Sequence, residues 1–207
     1  SGNHTVSYDL IITNTKKPGL EILKYDRTTN RPLADVTFAV YKDTELYGHF
    51  TTDENGRIYL DNLHPGTYLA VEIDSDDEHV VNSTPQQIEI KAGDAVKTLV
   101  FFNSLKPGIH LIKVDGITMK SLPNVRFVFK LVGGSYRQEF TTDINGEIDL
   151  SKLTPGAYEV RELEAPEGYL IDDAVRVVQV NPDENANFVF TNTPKPALRL
   201  IKTSSAG

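Results

Sequence analysis

The sequence predicts an all-β protein made of two tandem β-sandwich domains, and three observations carry that expectation. Short stretches alternate apolar and polar residues with period two, as at Val36-Phe38-Val40 and Val125-Phe127-Phe129, and no stretch shows a helical period. Turn residues recur between these stretches at regular spacing, with Asn-Gly at 55–56 and 145–146 and Pro-Gly at 65–66 and 155–156. The chain also repeats itself. Phe50-Thr51-Thr52-Asp53-Glu54-Asn55-Gly56 returns as Phe140-Thr141-Thr142-Asp143-Ile144-Asn145-Gly146, and Leu60, Leu63, Pro65, Gly66 and Tyr68 return as Leu150, Leu153, Pro155, Gly156 and Tyr158.

Taken in order, residues 1–16 contain Leu10-Ile12-Asn14, which matches the end of each later repeat, so this segment is expected to be a tail and the last strand of a preceding repeat. Lys-Pro-Gly at 17–19 is a short, stiff linker. Leu20-Ile22-Lys24 opens the first domain (17–105). Side chains two apart share a face of a strand, so Lys24 is predicted to point into the apolar interior. Val36-Phe38-Val40 is the next strand. Asn55-Gly56 is expected to make a tight type I′ hairpin, which needs positive φ at both central positions. Pro65-Gly66 makes a second turn into the strand Tyr68-Ala70-Glu72, which carries Glu72 on its apolar face. Leu99-Phe101-Asn103 closes the domain.

The second domain (106–195) repeats the scheme with Lys113, Glu162 and Asn192. The following segment (196–207) carries Leu198-Leu200-Lys202 and is expected to be the first strand of another repeat. Lys24, Lys113 and Lys202 are 89 residues apart, as are Asn14, Asn103 and Asn192.

At 207 residues, two domains of this size fit the chain, and each gains from a cross-link because small domains bury less of their surface. With no cysteine, that cross-link is not a disulfide. A formal charge of −8 argues against nucleic acid and anionic lipid as partners, and no apolar run is long enough to insert in a membrane. The acidic run Asp74–Glu78 and the Asp53-x-Asn55-Gly56 turn lack the order of a calcium loop. The histidines (His4, His49, His64, His79, His110) show no metal-ligand spacing, so neither metal nor cofactor is expected. Asn82-Ser83-Thr84 has the form of a glycosylation acceptor.

A single lysine among apolar residues usually snorkels to the surface. A lysine that recurs with a glutamate and an asparagine on the same inward face points instead to chemistry. Desolvation favours the neutral amine and the neutral carboxylic acid. A neutral amine is a nucleophile, and a protonated glutamate could donate to the asparagine carbonyl. Attack on the carboxamide would expel ammonia and leave a Lys–Asn amide, Lys24–Asn103 and Lys113–Asn192, with Glu72 and Glu162 as the promoting acids. Asn14 and Lys202 have no partners in the chain and are expected to stay unreacted. The bland alternative is a buried Lys–Glu ion pair hydrogen-bonded to asparagine.

The Lys-x-Asp strand starts (Lys24-Tyr25-Asp26, Lys113-Val114-Asp115), the Thr-Thr-Asp-x-Asn-Gly turn and the Pro-Gly-x-Tyr turn resemble those of the CnaB/SpaA-type, prealbumin-like repeat domains of Gram-positive surface adhesins and pilins. The stretch from Tyr158 to Tyr169 matches that family's E-box, Y-x-x-x-E-x-x-A-P-x-G-Y, at every defined position. The resemblance implies Ig-like, prealbumin-like sandwiches in an elongated arrangement and Glu162 as the acid for a Lys113–Asn192 isopeptide. It also implies a place on the extracellular, wall-anchored surface of a Gram-positive bacterium. The implied partners are neighbouring repeats of the same chain, with a host extracellular-matrix protein met through other regions. Domain one departs from the family after Glu72, where Ile73-Asp74-Ser75-Asp76-Asp77-Glu78-His79 replaces the Ala-Pro-x-Gly-Tyr segment. Its strand register still assigns Glu72.

The resulting expectation is a structural stalk module stapled by self-generated isopeptides. A domain that binds host ligand directly is the alternative, and it would call for an insertion in one repeat that the nearly equal lengths do not show. A turnover enzyme is disfavoured because the triad consumes itself.

Overall fold

The computed structural model describes residues 17–198, and every described element is a strand. The first domain contains β1 (Leu20–Asp26), β2 (Thr37–Lys42), β3 (Glu45–Thr51), β4 (Arg57–Leu60), β5 (Gly66–Asp74), β6 (Gln86–Ile90) and β7 (Lys97–Asn103). The second contains β8 (Gly108–Asp115), β9 (Arg126–Leu131), β10 (Arg137–Thr141), β11 (Glu147–Leu150), β12 (Gly156–Glu164), β13 (Arg176–Val180) and β14 (Asn185–Asn192). Each domain is a sandwich of a three-stranded and a four-stranded sheet: β4-β1-β7 with β3-β2-β5-β6, and β11-β8-β14 with β10-β9-β12-β13. The period-two alternation does what it should. In β1, Leu20, Ile22, Lys24 and Asp26 are buried while the residues between them are half-buried.

Between the sheets of the first domain lie Ile22, Val36, Phe38, Val40, Tyr68, Ala70 and Phe101, among others. Their counterparts in the second are Leu111, Val125, Phe127, Phe129, Tyr158, Val160 and Phe190. The first and last strands of each domain lie side by side and parallel. Lys24 is level with Phe101 and Asp26 with Asn103, and likewise Lys113 with Phe190 and Asp115 with Asn192. The other described strand pairings are antiparallel.

The Asn-Gly turns are not type I′ hairpins. β3 and β4 belong to different sheets, as do β10 and β11, so the turn is a corner between layers. Only the glycines take positive φ, 67° at Gly56 and 77° at Gly146, and Asn55 and Asn145 do not. The aspartate sets the geometry: Asp53 Oδ1 accepts from the backbone N–H of Asn55 and of Arg57, both at 2.9 Å, and Asp143 does the same for Asn145 and Glu147. The glycine is required for a second reason. A Cβ at Gly56 would collide with the Lys24 carbonyl oxygen, because the turn backs directly onto β1, where Lys24 N–H donates to the Gly56 carbonyl at 2.8 Å.

Two buried threonines fasten the entry to β2 and β9. Thr52 Oγ1 donates to the Leu33 carbonyl (2.7 Å) and accepts from Val36 N–H (3.0 Å), and Thr142 bridges Leu122 and Val125 in the same way. The Pro-Gly-x-Tyr turns close on themselves: Tyr68 and Tyr158 donate their hydroxyls to the carbonyls of His64 and Thr154.

Candidate functional site

In the first domain β1 supplies Lys24, β5 supplies Glu72 and β7 supplies Asn103, and all three are fully buried. Parallel pairing is what lets Asn103 reach the lysine. Phe101 is level with Lys24, so Asn103, two residues on, lies on the same face one step diagonally along the strand. On the facing sheet, Glu72 is level with Phe38. A β-bulge follows at once, between the Phe38–Glu72 and Thr37–Asp74 pairs, and a matching bulge follows Glu162 in β12. Such bulges re-aim a strand where a side chain must be placed.

The three side chains form a closed ring of hydrogen bonds. Lys24 Nζ donates to Glu72 Oε2 (2.7 Å) and to Asn103 Oδ1 (2.6 Å), and Asn103 Nδ2 donates to Glu72 Oε1 (2.5 Å). The second domain repeats the ring. Lys113 Nζ donates to Glu162 Oε2 (2.9 Å) and Asn192 Oδ1 (2.7 Å), and Asn192 Nδ2 donates to Glu162 Oε1 (2.7 Å). The carboxamide orientation differs from the sequence expectation. Its carbonyl faces the lysine and its nitrogen faces the glutamate.

Phenylalanines wall each ring. Lys24 Nζ lies 5.9 Å from the centroids of both Phe38 and Phe101, and Lys113 Nζ lies 5.6 Å from Phe127 and 6.0 Å from Phe190. Burial pushes the Lys24 amine below the ordinary lysine range, opposed by its hydrogen bond to Glu72 and by that residue's charge; Arg27 adds to the depression. Lys113 is depressed for the same reason against Glu162, with Arg176 adding to the effect. Arg176 also sits 4.4 Å from the Phe190 ring centroid and pairs with Asp172 at 2.5 Å. Among the described residues no buried side-chain polar atom lacks a partner.

Domain one lacks the Ala-Pro-x-Gly-Tyr segment, yet the chain after β5 makes the same backbone pairings. Val80 N–H donates to the Ser104 carbonyl and Lys106 N–H to the Glu78 carbonyl, as Leu170 donates to Thr193 and Lys195 to Gly168. Buried His79 stands where the second domain has Tyr169, whose hydroxyl donates to Asp115 Oδ2 at 2.8 Å. Backbone N–H groups of Thr118 and Ile117, and then Tyr169, hold the Asp115 carboxyl below the usual range.

Asn14 and Lys202 lie outside the described residues. Sequence reasoning missed Ser75, whose Oγ accepts from Asn103 Nδ2 at 3.0 Å; one signal was available, since Ser75 aligns with Ala165. It also missed a cross-strand group on β8 and β11, where His110 Nδ1 lies 2.7 Å from Asp149 Oδ1 with Glu147 nearby. Only the strand register, which pairs His110 with Asp149, reveals that proximity.

A family model described as SpaA, a prealbumin-like fold domain, matches the chain twice in tandem, over residues 18–104 and 107–194. No curated protein matches it by sequence. Among solved structures, a streptococcal ancillary pilin is 21% identical with a TM-score of 0.53, over 89% of this chain and 64% of that one. A single-substitution variant of the shaft pilin SpaA from Lactobacillus rhamnosus GG is 15% identical with a TM-score of 0.51, over 89% of this chain and all of that one. The Bacillus anthracis TIE protein is 24% identical with a TM-score of 0.46 over 86% of this chain, which spans 34% of that protein. At these identities the pilin likeness is one of fold.

Proposed function

Since this chain belongs to the SpaA family of prealbumin-like fold domains, we propose that it is a structural stalk module of a Gram-positive surface adhesin or pilus, in which each domain staples itself with an intramolecular Lys–Asn isopeptide bond. The bonds are Lys24–Asn103 and Lys113–Asn192, promoted by Glu72 and Glu162. The module stands outside the cell as part of a wall-anchored array, with neighbouring repeats as its partners.

The observation that carries this reading is the closed, fully buried ring, present twice with the same atom-to-atom pattern. One carboxylate oxygen touches the nucleophile and the other touches the leaving nitrogen. Glu72 can therefore take a proton from the Lys24 amine on Oε2 and deliver one to Asn103 Nδ2 from Oε1. The new bond joins Lys24 Nζ to Asn103 Cγ and the Cγ–Nδ2 bond breaks. Ammonia leaves, and the proton that the glutamate takes from the amine is matched by the one it hands to the leaving nitrogen. Amides are poor electrophiles, but fixed near-attack geometry can supply an effective molarity of about 10⁵–10⁸ M. The reaction runs once per domain, so a slow step suffices. The chemistry is autocatalytic and without turnover.

Intact mass tests this directly. Each bond should lower the mass by about 17 Da, the mass of one ammonia, so the closed chain shows two such losses. Glu162→Gln keeps the shape and cannot relay the proton, and it should abolish one loss while leaving the other. A wild-type mass equal to that of the unmodified sequence would refute the proposal.

A further inference from the structure

We infer that Ser75 positions the leaving group for bond formation in the first domain, an inference that rests on the isopeptide reading above. The two rings are alike except at the leaving nitrogen. Asn103 Nδ2 donates one hydrogen to Glu72 Oε1 at 2.5 Å and the other to Ser75 Oγ at 3.0 Å. Asn192 Nδ2 donates only to Glu162 Oε1 among the described residues, because Ala165 stands three residues after Glu162 where Ser75 stands three after Glu72.

Two acceptors on one planar NH₂ fix its rotation, and that holds Oδ1 against Lys24 Nζ at 2.6 Å. The same contact strengthens as the reaction proceeds. When Lys24 Nζ bonds to Asn103 Cγ, the leaving nitrogen turns pyramidal, receives the proton relayed by Glu72 and takes on ammonium character. A hydrogen bond to a charged donor is about twice as strong as a neutral one, so Ser75 favours the transition state over the ground state. Lys24, Glu72 and Asn103 have no solvent exposure, whereas Ser75 is half-buried, so the serine stands at the edge of the sealed ring. Its backbone is pinned by Ser75 N–H donating to Asp74 Oδ1 at 3.0 Å.

The test follows both bonds in the full chain as it is synthesised in a cell-free reaction, sampled over time and digested so that the Lys24–Asn103 and Lys113–Asn192 cross-linked peptides are counted separately. The second domain then serves as a clock inside the same molecule. Ser75→Ala should slow the Lys24–Asn103 bond on the order of tenfold, the rate equivalent of one hydrogen bond, and leave the Lys113–Asn192 rate unchanged. Ser75→Thr, which keeps a hydroxyl, should restore most of the rate. A Ser75→Ala rate equal to wild type, or a Ser75→Thr rate as slow as Ser75→Ala, overturns the role of the hydroxyl while the cross-link itself stands. Absence of the Lys24–Asn103 peptide from the wild-type chain overturns both the role and the isopeptide reading for that domain.

Discussion

Removing both charged members of one ring separates a covalent staple from a buried ion pair by the sign of the stability change. In the double variant Lys113→Met, Glu162→Gln, methionine lies between Phe127 and Phe190 where the lysine stem lay, and the carboxamide introduced on β12 can pair reciprocally with that of Asn192. No buried charge is left alone. If the ring were only an ion pair, replacing it with neutral groups of similar volume would be neutral or stabilising by about 1–4 kcal/mol. If it is an amide, the variant loses a closure between residues 79 apart in sequence. The loop-entropy relation puts that closure at about 15 cal/mol/K, or about 4.5 kcal/mol at 25 °C. A domain the size of residues 107–194 unfolds with an entropy of roughly 185 cal/mol/K, so its midpoint should fall by about 25 °C. Scanning calorimetry, with the first domain's transition as an internal reference and intact mass confirming one lost ammonia step instead of two, reads the result. A midpoint that stays or rises in the double variant would refute the covalent reading for this domain.

Two further outcomes follow from other contacts. Thr142→Val keeps the volume but strips the hydroxyl that joins Leu122 and Val125. It leaves a buried carbonyl and a buried N–H without that partner, at a cost of about 1–3 kcal/mol for each group left unsatisfied, measurable by urea unfolding of the double variant above. The pH dependence concerns Asn192→Ala, which cannot close its bond and keeps Lys113 as an amine. Burial lowers that amine below its ordinary value near 10.5, so between the two values the unfolded chain binds more protons than the folded one. The folded state of Asn192→Ala should therefore gain stability as pH rises through that window and lose it as pH falls. If the wild-type second domain has closed its bond, Lys113 is an amide nitrogen that does not titrate, so its midpoint should lack that slope when both proteins are scanned from neutral to alkaline pH. Matching slopes would show that the wild-type lysine is still free.

The placement of the rings was legible because two periodicities agree. The two-residue period put Lys24, Glu72 and Asn103 on inward faces, and the 89-residue step showed that the lysine and asparagine recur together. What was not legible lies in how strands are assigned to layers. Asn55-Gly56 has the composition of a hairpin turn, but the chain changes sheet there, and that changes which residue needs positive φ. Parallel pairing of β1 with β7 leaves no local mark, since it joins the two ends of the domain. The bulges after Glu72 and Glu162 arise from pairing with β2 and β9 and are invisible in either strand alone. The carboxamide orientation depended on all three partners at once. Domain one lacks the Ala-Pro-x-Gly-Tyr segment, yet the backbone pairings of Val80 and Lys106 survive because they use N–H and C=O groups that any sequence carries.

The parallel register also explains why a staple between these two positions suits a module held under tension. Chain enters the first domain at the start of β1 and leaves at the end of β7, and the two strands run side by side in the same direction. Tension on the chain would therefore shear β1 against β7. Lys24 is on the entering strand and Asn103 is the last residue of the leaving one. An amide between them would pass the load from one to the other and leave everything between, β2 through β6 and the whole apolar interior, outside the force path. Antiparallel terminal strands would put the last residue of the leaving strand opposite the start of the entering one. Without a bond, the load on such strands would peel them apart one hydrogen bond at a time, whereas the parallel pair must be sheared along its whole length. The asparagine therefore belongs at the exit end of the last strand, two residues beyond the level of the lysine, and both domains place it there.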